Sequence, residues 1–487
     1  LAEADHHADP APGRLPCAVK KGKSPRDFSP DESPSTENEL PMSPQVKTAK
    51  GRNSKTAGFS LKRRAVELLN QRADHMNRMA QHIWERPELG LEERYAAALL
   101  VEELENAGFQ VETGVAGMPT AFVARWGKGR PTIGLIAEYD AVPNCGRKRT
   151  ENGHGCGHNL FGTASVSAGI ALRTLMEEKG VKGTVKVFGT PAEEMLLGKV
   201  IMVKHGVFDG LDCALSWHPG EGTHSDYGSF MALDSVTFEF FGESAHAQVD
   251  PEKGRSALDA LELMNAGVSR LRAQTPPDTG INYVILEGGQ IPIVVVPYAK
   301  AWYSVWTPTR AQTEGVTKEI KRMARGAAKA TGTRVRIKHV SGTYHRLPNV
   351  ALGELIDQNL RWVEAPKFSK VDKASAQKLG FKEPLVEWVE PAIKDHHLTR
   401  VSNDQCNVSW LAPFGFFRTT CRAPGTPQHH WLATQQYGSA IGWKGMLAAA
   451  KTLACTTVDL LTQPAILRKI RKEFSEKTRG FQYRSPI

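Results

Sequence analysis

The chain has no run approaching the ~18 to 20 consecutive apolar residues of a membrane-spanning helix, so none is expected. Cysteine is scarce: there are seven in 487 residues, an odd number without short regular spacing. A disulfide framework is therefore not expected. No charged-then-apolar leader is visible, and a cytoplasmic location is the expectation. The net charge of +10 is dispersed apart from Arg468-Lys469-Ile470-Arg471-Lys472, and no helix-turn-helix, zinc-finger or RNA-binding signature accompanies it. That run reads as a solvated helix face, with no nucleic-acid partner expected.

What is present is a globular composition, 40% hydrophobic and 23% charged, in a chain long enough for at least two cores. Residues 1–58 are rich in Pro, Ser, Lys and acidic residues and lack apolar periodicity. They cannot bury enough surface to offset their ordering entropy, and read as a disordered or appended tail. From Ser60, Leu61, Ala65, Leu68, Leu69, Met76, Met79, Ala80 and Ile83 recur at helical spacing, and Arg94 to Ala107 predicts a second helix. Strand patterns at 120–126, 132–137, 183–190 and 213–217, with a small-residue helix over 164–176, predict an α/β domain binding its ligand at the carboxyl edge of the sheet.

Between 233 and 341 the pattern changes to strand, helix, strand, strand, helix, strand. This βαββαβ order is ferredoxin-like and self-contained, and predicts an insertion. The α/β domain then comprises 59–232 and 342–487, with a long apolar helix over 440–461.

Chemistry concentrates in three segments: Gly153-His154-Gly155-Cys156-Gly157-His158-Asn159, Thr190-Pro191-Ala192-Glu193-Glu194, and Trp217-His218-Pro219. A thiolate and an imidazole from one loop can reach a single cation, and a carboxylate can complete the shell. Two adjacent glutamates permit a division of labour in which one holds the ion and the other takes a proton from the water that the ion acidifies. Asp140, at a strand end, either orients a ligand imidazole or is a turn residue, and His154 reads as a turn or supporting residue.

These segments, together with Glu138-Tyr139-Asp140-Ala141, Ala245-His246-Ala247, Gly254-Arg255-Ser256-Ala257-Leu258-Asp259-Ala260 and Gly425-Thr426-Pro427, resemble the metal-dependent aminoacylase and carboxypeptidase family from about residue 75 to 462. The resemblance implies a zinc-peptidase-like catalytic domain with the insertion serving as dimerisation and lid domain of a homodimer. It implies Cys156, His158, Glu194, His218 and His429 as ligands of one or two Mn²⁺ or Zn²⁺ ions, with His430 as the alternative register for His429. Glu193 is then the general base, and His246 matches a histidine that stabilises the oxyanion across a dimer. Asp404 matches an aspartate of the pattern without an assigned role.

The pattern breaks at one place. The family's amino-acid amidases hold the substrate carboxylate with an Asn and an Arg of the inserted domain, and the corresponding residues here are Ile293 and Trp306. Neither can form the charge-assisted bonds that fix a carboxylate. Trp302, Tyr303 and Trp306 could line a surface for an aromatic ring or pack within a core, and Arg310 could restore the charge from another direction. The expected activity is hydrolysis of a C–N bond in a small aromatic compound. Two substrates fit: an aromatic amide such as p-aminobenzoyl-glutamate, or a nitro-activated aryl amine such as 5-nitroanthranilate, releasing ammonia. A non-catalytic binding protein on the same fold is the third reading.

Overall fold

The computed structural model describes residues 50–148 and 150–487. The expected tail lies outside the described residues up to 49, and its expected end at 58 is too late. Helix α1 already spans Lys50–Gln71 and is followed by α2, Ala73–Trp84. Once the apolar face from Leu61 onward nucleates the helix, the preceding polar turns propagate at little cost, which periodicity alone does not register. Helix α3 is Arg94–Asn106 and strand β1 is Gln110–Thr113. Strands β2, Phe122–Lys128, and β3, Thr132–Ala137, lead to the long helix α4, His158–Lys179. Then follow β4 Gly183–Gly189, α5 Gly198–Lys204, β5 Cys213–Gly220, β6 His224–Ser225 and β7 Ser229–Phe230.

The middle segment contains β8 Ala232–Phe241, α6 Ala257–Arg272, β9 Gly280–Glu287, β10 Tyr298–Thr307, α7 Arg310–Thr331 and β11 Arg334–Thr343. Its four strands form an antiparallel sheet in the order β11-β8-β10-β9. Strand alternation sends Val236, Phe238, Phe240, Ala301, Tyr303 and Val305 into a core shared with α6 and α7. The opposite face, carrying Ser235, Trp302, Ser304 and Trp306, is not covered by those helices and borders a cavity.

The chain continues through α8 Val350–Val363, α9 Lys370–Lys378, β12 Leu398–Thr399, α10 Gln405–Val408, β13 Phe414–Thr420, α11 Trp431–Tyr437, α12 Ala440–Thr462 and α13 Pro464–Lys477. A seven-stranded mixed sheet runs β1-β2-β4-β3-β5-β13-β6, with β4, β3, β5 and β13 mutually parallel. Helices α4 and α12 pack together beside it, both rich in small residues. At Gly445 of α12 a Cβ would come within 2.3 Å of the Thr420 carbonyl, so only glycine permits this approach. The basic run 468–472 lies on α13, where Lys469 and Arg471 face Glu354 and Asp212. Among the described residues no helix is long and apolar enough to cross a membrane.

Parallel pairing aligns the carboxyl ends of the central strands, and the chemistry gathers there. Glu138 and Asp140 follow β3, Glu193 and Glu194 follow β4, His218 lies in the last turns of β5, and the amino end of α4 arrives with Cys156 and His158.

Candidate metal centre

Helix α4 begins at His158 because Gly157 adopts φ +82° before it. A side chain there would also strike Pro219, its Cβ 2.9 Å from the ring, so this glycine lets the Cys156 turn close over the end of β5. Cys156 Sγ consequently lies 3.2 Å from His218 Nε2. The other nitrogen of His218 donates to the Pro219 carbonyl at 2.8 Å, which leaves Nε2 as the basic atom facing the sulfur. Burial, with the Arg418 charge second, holds the His218 imidazole well below its usual range, so it is neutral, as a ligand must be.

His158 is fully buried and donates from Nδ1 to Asp140 at 2.8 Å. Its Nε2 faces Glu138 at 3.4 Å, Glu193 at 3.7 Å and Glu194 at 3.9 Å. The second oxygen of Asp140 accepts the main-chain N–H of Glu194 at 2.8 Å, so one carboxylate orients an imidazole and the paired-glutamate loop together. Ala192, just before the pair, is held at φ +55°, a strained conformation for alanine. Its N–H donates at 2.7 Å to the buried Glu93, which also accepts from Thr120. Sequence reading did not single out Glu93.

His429 brings Nε2 to 3.3 Å from Glu194. His430 instead accepts the Leu432 N–H as the cap of α11, so the structure turns His429 into the site and gives His430 a structural task. His154 is buried against the Ile83 carbonyl at 3.1 Å and belongs to none of the donor groups that could share an ion.

Three groups of donor atoms are close enough to share an ion: Cys156, His158 and His218; Cys156, Glu194 and His429; and Glu138, His158 and Glu193. The first two overlap at Cys156. Buried His158 Nε2, Glu138 Oε2 and Glu194 Oε1 find no hydrogen-bond partner, which is costly unless a cation engages them. Burial, then the charges of Glu138 and Glu194, raise the Glu193 carboxyl well above the usual carboxylate range. Burial likewise raises Glu194. The field is therefore strongly negative and fits a divalent metal of mixed nitrogen, oxygen and sulfur preference.

Behind Glu138 lies a network not read from the sequence. Lys199 Nζ, fully buried, is 2.9 Å from Glu138 and 2.8 Å from Asp404, and Gln405 donates to Glu138 at 2.6 Å. Asp404 thus acquires a place as one of two acids flanking a buried ammonium.

The remaining expected residues divide. Trp306 borders the metal pocket of about 370 Å³, whose wall also includes Cys156, Glu193, Glu194, His218 and His429. Trp302 shares its face and is 43% exposed, whereas Tyr303 points into the core against Phe238 and Tyr283. Arg310 does not reach the pocket. It opens α7, and its guanidinium pairs with Asp234 at 2.6 Å and Glu314 at 3.0 Å, so the charge it was expected to restore is consumed internally. His246 is exposed in the loop after β8, its Nδ1 accepting the N–H groups of Gln248 and Val249, and it does not line the metal pocket of its own chain.

A carboxyl-edge site of this make-up fits a metal-dependent hydrolase. The chain belongs to the peptidase family M20/M25/M40, whose model matches residues 134–353. The p-aminobenzoyl-glutamate hydrolase of Escherichia coli has one subunit that is 34% identical over 464 residues, 87% of this chain and 96% of that protein. The Xaa-Arg dipeptidase of Mus musculus is 31% identical over 86% of this chain and 93% of its own length. The fold matches that of a dinuclear metal-binding peptidase of Bacillus subtilis from the M20 family, with a TM-score of 0.56 at 16% identity, covering 80% of this chain and 99% of that one.

Proposed function

We propose that the protein hydrolyses the amide C–N bond of a small aromatic compound of the aminobenzoyl-glutamate type. In this reading Cys156, His158, Glu194, His218 and His429 hold one or two ions of Mn²⁺ or Zn²⁺, and Glu193 is the general base. The observation that carries the aromatic specificity is the position of Trp306. It borders both the metal pocket and a second, mostly apolar cavity of about 670 Å³, walled by Met195, Leu233, Val284 and Trp302 among others. An aromatic ring in that cavity would leave its amide carbonyl near Glu194. The identity shared with the p-aminobenzoyl-glutamate hydrolase of Escherichia coli supports the same substrate class.

A divalent ion in this donor set lowers the pKa of water and polarises a carbonyl. Glu193 takes a proton from the water as its oxygen bonds to the carbonyl carbon, then delivers that proton to the nitrogen as the C–N bond breaks. Asp140 keeps His158 and the Glu194 loop in place throughout.

We infer a homodimer through residues 233–341, which act as a lid. Strand β9 is the edge of its sheet and exposes Val284, Ile285 and Leu286, an edge that asks for cover. His246, unable to serve its own metal pocket as placed, would serve the partner's developing oxyanion. Mixing inactive Glu193→Gln and His246→Ala protomers should restore part of the activity if the histidine acts across the dimer.

The test of the main reading is to supply metal-loaded protein with p-aminobenzoyl-glutamate, N-benzoylglycine and 5-nitroanthranilate, and to follow amine and ammonia release. Cleavage of either amide supports the proposal. The loss of the family's clamp at Ile293 and Trp306 favours an aryl-amine aminohydrolase as second reading, and ammonia from 5-nitroanthranilate without amide cleavage would select it.

A further inference from the structure

Strand β13 pairs with β5 in register, Arg418 opposite His218. Paired residues on parallel neighbours leave the sheet on one side, so Arg418 emerges beside a metal-ligand candidate. It lines the metal pocket together with Cys156, Glu193, Glu194 and His429, its guanidinium 5.5 Å from the centre of the Phe416 ring.

The other arginines around this region are occupied. Arg310 pairs with Asp234, Arg346 with Asp226, Arg400 with Asp278 and Arg422 with Glu221. Arg418 has neither an ion pair nor a hydrogen bond from its guanidinium among the described residues, and Asp226, the acid that most influences it, is engaged by Arg346. Arg418 is half-buried, and its guanidinium therefore faces the pocket without an internal anion to engage it, where a ligand carboxylate could pair with it.

We propose that Arg418 is the anchor for a carboxylate of the substrate, in place of the clamp whose positions hold Ile293 and Trp306. The planar guanidinium offers paired N–H donors to a carboxylate. Arg418 lines the metal pocket and not the adjoining apolar cavity, so the two together select substrates with an aromatic ring at one end and a carboxylate close to the scissile bond at the other. This rests on the amide-hydrolase reading and deepens it by naming the second recognition element.

Metal-loaded Glu193→Gln protein, whose turnover is slowed enough for binding to be read, is titrated calorimetrically with N-benzoylglycine, with its neutral counterpart N-benzoylglycinamide and with 5-nitroanthranilate. The same titrations are made with Arg418→Met and Arg418→Lys added to that background, after metal content and melting temperature show that the variants fold. Arg418→Met should weaken N-benzoylglycine about 10- to 100-fold, as expected for loss of a charge-assisted bond, and leave the neutral amide unchanged, with Arg418→Lys intermediate. A matching loss for 5-nitroanthranilate alone would assign the anchor to a ring carboxylate instead of an amino-acid carboxylate, and would still support it. Equal losses for charged and neutral ligands, no loss, or no binding of either carboxylate would overturn the proposal. Failure of the hydrolase reading shows separately, as absence of turnover in the enzyme with Glu193 and Arg418 intact.

Discussion

Nδ1 of His158 donates to Asp140 at 2.8 Å, fixing which nitrogen of the imidazole faces the candidate metal. The same aspartate holds the main chain of Glu194, so two ligand candidates depend on one side chain that belongs to none of the donor groups. Asp140→Asn should lower metal affinity about 10- to 100-fold, measured by competition with a coloured chelator. Unchanged affinity would mean that the helix and loop hold the ligands without it.

His429 and His430 are adjacent in sequence and opposite in role. His429→Ala should lose metal and activity. His430→Ala should keep both and lower stability by ~1 kcal/mol through loss of the α11 cap, seen as a shift in the denaturant midpoint. The reverse pattern would place the wrong histidine in the site.

Glu93 supplies a pH dependence. Burial first, and the charge of Asp140 second, push its carboxyl up from 4.5 to about 7. Below about 4.5 the folded and unfolded chains both carry this proton, and stability from this group is constant. From about 4.5 to about 7 only the folded chain retains it, so stability falls as pH rises. Above about 7 the loss is complete, on the order of 3 kcal/mol. Glu93→Gln, which can still accept the Ala192 N–H, should remove this slope in urea denaturation of the metal-free protein. Parallel pH profiles for the two proteins would contradict the assignment.

Lys199 bridges Glu138 and Asp404 in their fully buried network. Burial and the lysine act in opposite directions on Asp404, and burial prevails, raising it to about 6. Lys199→Met should destabilise the fold by ~3 to 5 kcal/mol, because it removes the ammonium that both buried acids share. Adding Asp404→Asn should recover part of that loss. Absence of recovery would show that the lysine stem, through packing, carries the effect.

The chain's periodicity exposed most of the architecture for a physical reason: the central strands and helices bury whole faces, so their patterns are strong. The strand, helix, strand, strand, helix, strand order read between 233 and 341 is the order found, β8, α6, β9, β10, α7 and β11. The paired glutamates and the Cys156 turn were legible because metal chemistry needs several rare residue types close together in sequence. Other residues were not. Lys199, Glu138 and Asp404 meet only through the fold, and their signal, charged residues within apolar surroundings, is shared with many surface turns. Arg418 lies on β13, a strand that was not read, so the face it shares with His218 was invisible. Arg310 was expected near the substrate because it lies four residues beyond Trp306, but the chain turns into α7 there and Asp234 captures it. Nearness in sequence misled where a strand ends and direction changes.

The central claim is that Glu193 moves protons for a metal-dependent amide hydrolysis in which Cys156 and its neighbours hold the metal. The direct measurement is release of amine from N-benzoylglycine by native-sequence protein and by Glu193→Gln, each stripped with chelator and reconstituted with Mn²⁺ or Zn²⁺, with bound metal quantified in the same samples. Metal should restore turnover to the native sequence, while Glu193→Gln should bind the same amount of metal and turn over about 10²- to 10⁴-fold more slowly. Full activity in the stripped protein, or in Glu193→Gln, would contradict it.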